Sequence, residues 1–187
     1  MLHTYDQLKY VIYLTLVLVS SLSSQNNKYY FDCPCPQIIA HQGSSLELPP
    51  NTIEAFELAI NQGADIIELD IWQTKDGIWI VIHDENLSKI TGIDKSIGDI
   101  SLSQVRAFDA GFGFYKNNPG IIKDKNIHYH IPSLEQIFKK FPNQRINIEV
   151  KDSDESGLIK LIELINRYNM QDNILVVSSH YKVIKNF

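Results

Sequence analysis

At 187 residues, 44% hydrophobic and 21% charged, the chain has the composition of one ordinary globular unit. Its formal charge of −5 and isoelectric point near 5.6 argue against a nucleic-acid partner, which favours a basic footprint. No internal repeat or low-complexity tract interrupts it.

The first segment, Tyr10 to Leu22, is apolar or weakly polar, with Lys9 before it and Ser20, Ser21, Ser23 and Ser24 at its end. A bilayer span wants about 20 apolar residues, whereas a signal-peptide core wants about 7–15 followed by small residues. Residues 1–24 are therefore expected to be a signal peptide or a membrane anchor, although Asp6 partly cancels Lys9. A buried N-terminal strand or helix is the alternative. Residues 25–36 read as a linker, polar and then punctuated by proline. Within it Cys33 and Cys35 flank Pro34, too close for an unstrained disulfide, so they read as unpaired thiols, with lipidation the alternative. The expected location is membrane-associated or in the secretory pathway.

The folded domain is expected over 37–187. A strand over 38–43 (IIAHQG) comes first. Asn51 or Thr52 then caps a helix carrying Ile53, Phe56, Ala59 and Ile60, closed by Gly63. The run from Ile66 to Trp72 is the second strand. Lys75-Asp76-Gly77 turns the chain into a returning strand over 78–83. Residues 85–131 read as an irregular insertion, with a short helix near Leu102–Phe108 and a binding or lid role. Pro132-Ser133 opens a helix with Leu134, Ile137, Phe138 and Phe141 on one stripe. A strand over 146–151, a helix over 156–168 with Leu158, Leu161, Ile162 and Ile165 inward, and a strand over 174–178 complete the series. Strands alternating with helices predict an α/β fold with parallel strands. Polar groups at the strands' carboxyl ends favour a TIM (β/α)8 barrel over a doubly wound sheet, and no dinucleotide fingerprint follows the first strand. The predicted strands are fewer than a barrel of about 250 residues carries, so the domain reads as the N-terminal part of one.

Those polar groups carry the chemistry. Glu68 and Asp70 share a strand face, as do Glu149 and Lys151, because side chains two apart on a strand point the same way. Carboxylates converging in a folded interior need a cation, and a divalent metal is the simplest candidate. Hard oxygen ligands select Mg2+ or Ca2+ rather than zinc. His41 and His83, at two further strand ends, bring the side-chain type best suited to general acid–base work and can divide proton transfer between them. Asp84 either orients His83 or opens a turn. His128 and His130 share a face if extended but have no third ligand nearby, and Trp72 and Trp79 read as packing residues.

The ordered stretches HQG (41–43), PPNT (49–52), GADIIELD (63–70), TKDG (74–77), HDENL (83–87), IPSLEQIF (131–138) and INIEVK (146–151) resemble the blocks of the glycerophosphodiester phosphodiesterase family. The stretch 131–169 is most similar to its membrane-anchored, lysophospholipase D-type branch. The resemblance implies a barrel of the phospholipase C-like phosphodiesterase type. It implies hydrolysis of glycerophosphodiesters or lysophospholipids with release of the head-group alcohol. His41 and His83 would be the acid/base pair, Glu68, Asp70 and Glu149 would bind one Mg2+ or Ca2+, and Gln42 and Lys151 would face the substrate phosphate. Two departures stand out. Gln42 replaces the family's arginine and Pro50 its glutamate, and a neutral amide cannot clamp phosphate as a guanidinium does. A catalytically impaired family member and a sphingomyelinase D-like phospholipase, which shares the same barrel plan, are the competing expectations.

Overall fold

The strand β2 (Ile66–Gln73) organises the sheet, because both of its edges are paired. β1 (Ile39–His41) lies parallel on one side and β4 (Arg145–Val150) parallel on the other, with β5 (Ile174–Val177) parallel beyond β4. The short β3 (Trp79–Val81) returns antiparallel along the end of β2. In this computed structural model the described residues are 30, 36–124 and 126–186. Residues 1–24 and both cysteines, and with them the expected leader and the lipidation reading, lie outside that set.

Parallel neighbours require helical crossovers, and the sequence supplies them. α1 (Ile53–Asn61) joins β1 to β2, and Thr52, not Asn51, caps it by accepting from Ala55 N–H at 3.3 Å. α5 (Leu134–Lys140) precedes β4 and begins in a reciprocal Ser133–Gln136 capping box. α6 (Glu155–Arg167) joins β4 to β5, with Asp154 as its N-cap. This is the topology of part of a (β/α)8 barrel, as the alternation predicted. Ile67, Leu69 and Ile71 from β2 and Ile146, Ile148 and Val150 from β4 pack against Phe56, Ile137, Phe138, Leu158 and Leu161 from the helices.

Two regions are more ordered than the sequence suggested. The stretch 85–131 holds α2 (Ser88–Thr91), a 3-10 turn (Ile97–Asp99), α3 (Leu102–Val105) and α4 (Gly111–Asn117). These closely spaced turns bury Leu87, Ile97, Ile100, Val105, Tyr129 and Ile131 against Ile80 and Ile82, forming a second core. The second core exists because β3 alternates: Trp79 and Val81 enter the main core while Ile80 and Ile82 face the insertion. α4 crosses α2 so closely that a Cβ at Gly113 would lie 1.9 Å from the Lys89 carbonyl oxygen. The other unforeseen element is α7 (Tyr181–Asn186), which buries Val183 in the main core. Tyr30, within the expected linker, is buried as well. Its hydroxyl donates to Asn147 Oδ1 and its carbonyl accepts from Arg145 Nη1.

Candidate active site

Strict alternation along β4 builds one wall of the site. Ile146, Ile148 and Val150 point to the helices, which leaves Asn147, Glu149 and then Lys151 on the opposite face. The register sets Glu68 beside Asn147 and Asp70 beside Glu149, while His41 at the end of β1 lies beside Glu68. Glu68, Asp70 and Glu149 therefore meet, each offering an oxygen within 4.8 Å of the other two. The sequence predicted this convergence from side chains two apart on separate strands.

Asp70 is the buried member, with its side chain 1% exposed against 13% for Glu68 and 29% for Glu149. Its Oδ2 accepts from Gln42 Nε2 at 2.7 Å and from Asn51 Nδ2 at 3.0 Å. Among the described residues its Oδ1 has no hydrogen-bond partner beyond the Lys151 ammonium, which is ion-paired to it at 3.1 Å. The same ammonium is 2.8 Å from Glu149 Oε1. A buried carboxylate oxygen that faces two further carboxylates and has only an ammonium beside it is a hard anionic site that fits Mg2+ or Ca2+. Lys151 is thus ion-paired to two of the three carboxylates, Asp70 and Glu149.

Burial is the largest influence on Glu68 and pushes its carboxyl up. Asp70 and Glu149 add to the rise, and the Gln42 N–H and His41 only partly offset it. Desolvation pulls Lys151 down, but its contacts with Glu149 and Asp70 prevail and hold the ammonium above its ordinary range. The net field is thus one that stabilises positive charge.

The two histidines stand at the rim. His41 is 74% exposed, with Nε2 3.9 Å from Glu68 Oε2, beyond hydrogen-bond reach. His83 is 49% exposed and follows Ile82, whose N–H bonds the Asp70 carbonyl at 2.9 Å. Its Nδ1 lies 2.8 Å from Asp84 Oδ1, so of the two ring nitrogens Nδ1 is the one this carboxylate engages. Lys89 Nζ is 3.0 Å from the other Asp84 oxygen. Burial raises Asp84, yet the bonds from His83 and Lys89 outweigh it and keep this carboxyl below its ordinary value. Of the two readings of Asp84, the structure thus shows the contact that orients His83.

The site also contains residues that sequence reasoning passed over. Asn51 read only as a helix cap, but with Thr52 in that role its amide reaches Asp70. Trp72, two positions beyond Asp70 on the same strand, donates its indole N–H to the His83 carbonyl at 2.9 Å. Trp79 packs in the core and bonds the Gly157 carbonyl at 3.1 Å. The rings of His128 and His130 meet at a tilt of 56°, 4.6 Å between centres, and neither joins the acidic group. Gln42, expected at the phosphate, has its side-chain amide on Asp70.

Residues 41–184 match the glycerophosphoryl diester phosphodiesterase family. The chain is 35% identical over 156 residues to a glycerophosphodiester phosphodiesterase of Caldanaerobacter subterraneus, covering 78% of this chain and 59% of that protein. It is 33% identical over 151 residues to human lysophospholipase D GDPD1, covering 79% of this chain and 46% of that one. Among solved structures, a glycerophosphodiester phosphodiesterase from Agrobacterium tumefaciens superposes with a TM-score of 0.70 at 28% identity, over 80% of this chain and 61% of that chain. An Oleispira antarctica phosphodiesterase in complex with the product sn-glycerol-3-phosphate gives 0.66 at 27% identity, over 81% and 60%. The chain thus spans about half of the length of the relatives it matches.

Proposed function

Because this chain belongs to the glycerophosphoryl diester phosphodiesterase family, we propose that its carboxylate cluster serves divalent-metal-dependent hydrolysis of glycerophosphodiesters or lysophospholipids. The observation that carries the proposal is the meeting of Glu68, Asp70 and Glu149 around one point, with Lys151 beside it and a histidine at each of two neighbouring strand ends. The product bound to the Oleispira enzyme and the lysophospholipase D name of the human relative support the substrate class.

In this reading a divalent cation held by the three carboxylates would neutralise charge on the phosphate oxygens. Lys151 adds a second positive charge at the same place. Asp84 fixes the proton of His83 on Nδ1, so Nε2 is free to take the proton of the attacking hydroxyl. We assign this base role to His83 because the Asp84 carboxylate stabilises the imidazolium that forms. His41, exposed and next to Glu68, gives a proton to the departing alkoxide. With the substrate's own glycerol hydroxyl as nucleophile, the phosphorus–oxygen bond to the head group breaks as the new one forms. The head-group alcohol leaves with the proton from His41. Water then opens the cyclic phosphate so formed: its proton goes to His41, the phosphorus–oxygen bond to the attacking glycerol oxygen breaks, and that oxygen takes the proton held by His83, which from a lysophospholipid gives lysophosphatidic acid. We place residues 1–24 as the leader or anchor that brings the site to a membrane.

The test is choline or ethanolamine release by the native gene product from glycerophosphocholine, glycerophosphoethanolamine and lysophosphatidylcholine, with Mg2+ and with Ca2+. Metal-stimulated release that falls by about 10²–10⁴ in His41→Ala and His83→Ala is the expected result. Release insensitive to metal or to both histidines overturns the proposal, and preference for sphingomyelin transfers the chain to the sphingomyelinase D-like class.

A further inference from the structure

We infer that Asn51 and Gln42 are positioning residues for Asp70: their two carboxamides pin Oδ2 so that Oδ1 alone is presented to the cation. The inference rests on the proposed use of the three carboxylates as a divalent-cation site.

Both residues adopt left-handed backbone, Gln42 at φ 57° and Asn51 at φ 60°. An L side chain resists that region, although asparagine tolerates it better than most. The two strained positions are tied together and to β2. Asn51 N–H donates to the Gln42 carbonyl at 3.0 Å, and Gln42 N–H reaches both the Glu68 carbonyl and Glu68 Oε2 at 3.0 Å. Gly43, at φ 82°, follows so close to α1 that a Cβ there would lie 2.7 Å from the Ala55 backbone. The loop after β1 is thereby held against the carboxylates on one side and the helix on the other.

The orientation of the Asn51 amide is fixed at both ends. Nδ2 donates to Asp70 Oδ2 at 3.0 Å, while Oδ1 lies 3.5 Å from the Asp70 N–H. Asn51 is 5% exposed, and the helix does not need it as a cap because Thr52 provides that contact. Its amide has Asp70 as its partner on both sides, the nitrogen on the carboxylate and the oxygen towards the backbone nitrogen.

Neutral donors suit this role. Lys151 already sets one positive charge 3.1 Å from Asp70, and a guanidinium at position 42 would bring a second. Two amides restrain the carboxylate without adding a further positive charge to that of Lys151, which keeps Oδ1 anionic enough for a divalent ion. Outer partners of this kind typically contribute about tenfold to a hundredfold in metal affinity. Gln42 therefore gives up the family arginine's charge and restrains a ligand instead.

The experiment measures Mg2+ and Ca2+ affinity by calorimetry on the full chain, at a temperature where circular dichroism shows each variant folded. Asn51→Gly accommodates the left-handed backbone while removing the amide, and Gln42→Met keeps the bulk while removing the donor. Each should weaken metal binding about tenfold, and the double variant about a hundredfold. A purely structural role would lower the melting temperature and leave affinity in the folded protein unchanged, which overturns the inference. Should Asn51→Gly not fold, Gln42→Met with wild-type affinity overturns it alone. If the wild-type chain takes up no metal, the proposed function fails and this inference with it. If wild type binds and both variants bind equally well, only the inference fails.

Discussion

Replacing Lys151 by methionine isolates the electrostatics of the cluster. Methionine keeps most of the side-chain length and removes the ammonium that lies 2.8 Å from Glu149 Oε1 and 3.1 Å from Asp70 Oδ1. Losing one partner of a buried pair costs about 3–5 kcal/mol, because the remaining charge is left uncompensated. Asp70 is fully enclosed, but Glu149 is 29% and Lys151 18% exposed, and water recovers part of the loss. The lower end, about 3 kcal/mol, is the appropriate figure. For a protein of this size that corresponds to a melting temperature lower by about 6–12 °C in the absence of metal. The folded-state pKa of Lys151 is raised, so its stabilisation is complete below the ordinary lysine value of 10.5 and is lost as pH rises through the raised one. The comparison therefore belongs at pH 7, where the whole effect is present. A divalent cation at a hundred times its dissociation constant stabilises the fold by about 2.7 kcal/mol. That stabilisation should be reached at lower metal concentration in Lys151→Met than in wild type, because no ammonium competes. Thermal melts with chelator and then with Mg2+ or Ca2+ provide the measurement. An unchanged metal-free melt, or a weaker response to metal in the variant, would refute the reasoning.

Further outcomes follow from neighbouring features. Asp84→Asn should slow head-group release by on the order of tenfold to a hundredfold, a fraction of what general acid–base catalysis provides; its melt should move little, since exposed ion pairs are worth about 0–1 kcal/mol. Gly113→Ala should destabilise by at least about 1–3 kcal/mol, because the new methyl meets the Lys89 carbonyl and both partners are backbone; an unaltered melt would show that α2 and α4 can separate freely. Glu68 has its folded pKa raised above its ordinary 4.5, so its favourable contribution is present below that value and is lost as pH rises through the raised one. Metal-free protein should therefore gain stability as pH falls through the raised Glu68 value towards 4.5, and saturating divalent cation should abolish the gain. Asp84 and Asp109 behave oppositely, since both carboxyls are held below 3.8 and their stabilisation disappears only as pH falls through those lowered values.

The carboxylate cluster was legible because strand periodicity is rigid. Once Ile67, Leu69 and Ile71 belong to the core, Glu68 and Asp70 have no other face to occupy. The helices carrying Phe56, Phe138 and Leu161 were legible from their stripes and caps. In the insertion only the helix near Leu102–Phe108, seen as α3, was legible; α2 and α4 were not, since they span only 4 and 7 residues and pack on one another. Periodicity needs more turns than that to register. The role of Asn51 was hidden for another reason. An asparagine before a threonine at a helix start reads equally well as the cap, and only the observed Thr52–Ala55 bond frees its amide for Asp70. Tyr30 was illegible because its partners, Arg145 and Asn147, lie far along the chain.

The pairing of β2 with β4 gives any bound ion a mechanical part to play. Glu68 and Asp70 are supplied by one strand and Glu149 by the other, and the whole excursion over 85–131 leaves and re-enters between them. An ion gripped by all three is a staple across that seam, formed only after both strands have docked. During synthesis the first two ligands emerge long before the third, so a nascent chain has no complete grip until β4 has joined the sheet. Chelation of such an ion would act in reverse, loosening the junction that keeps the excursion anchored at both ends.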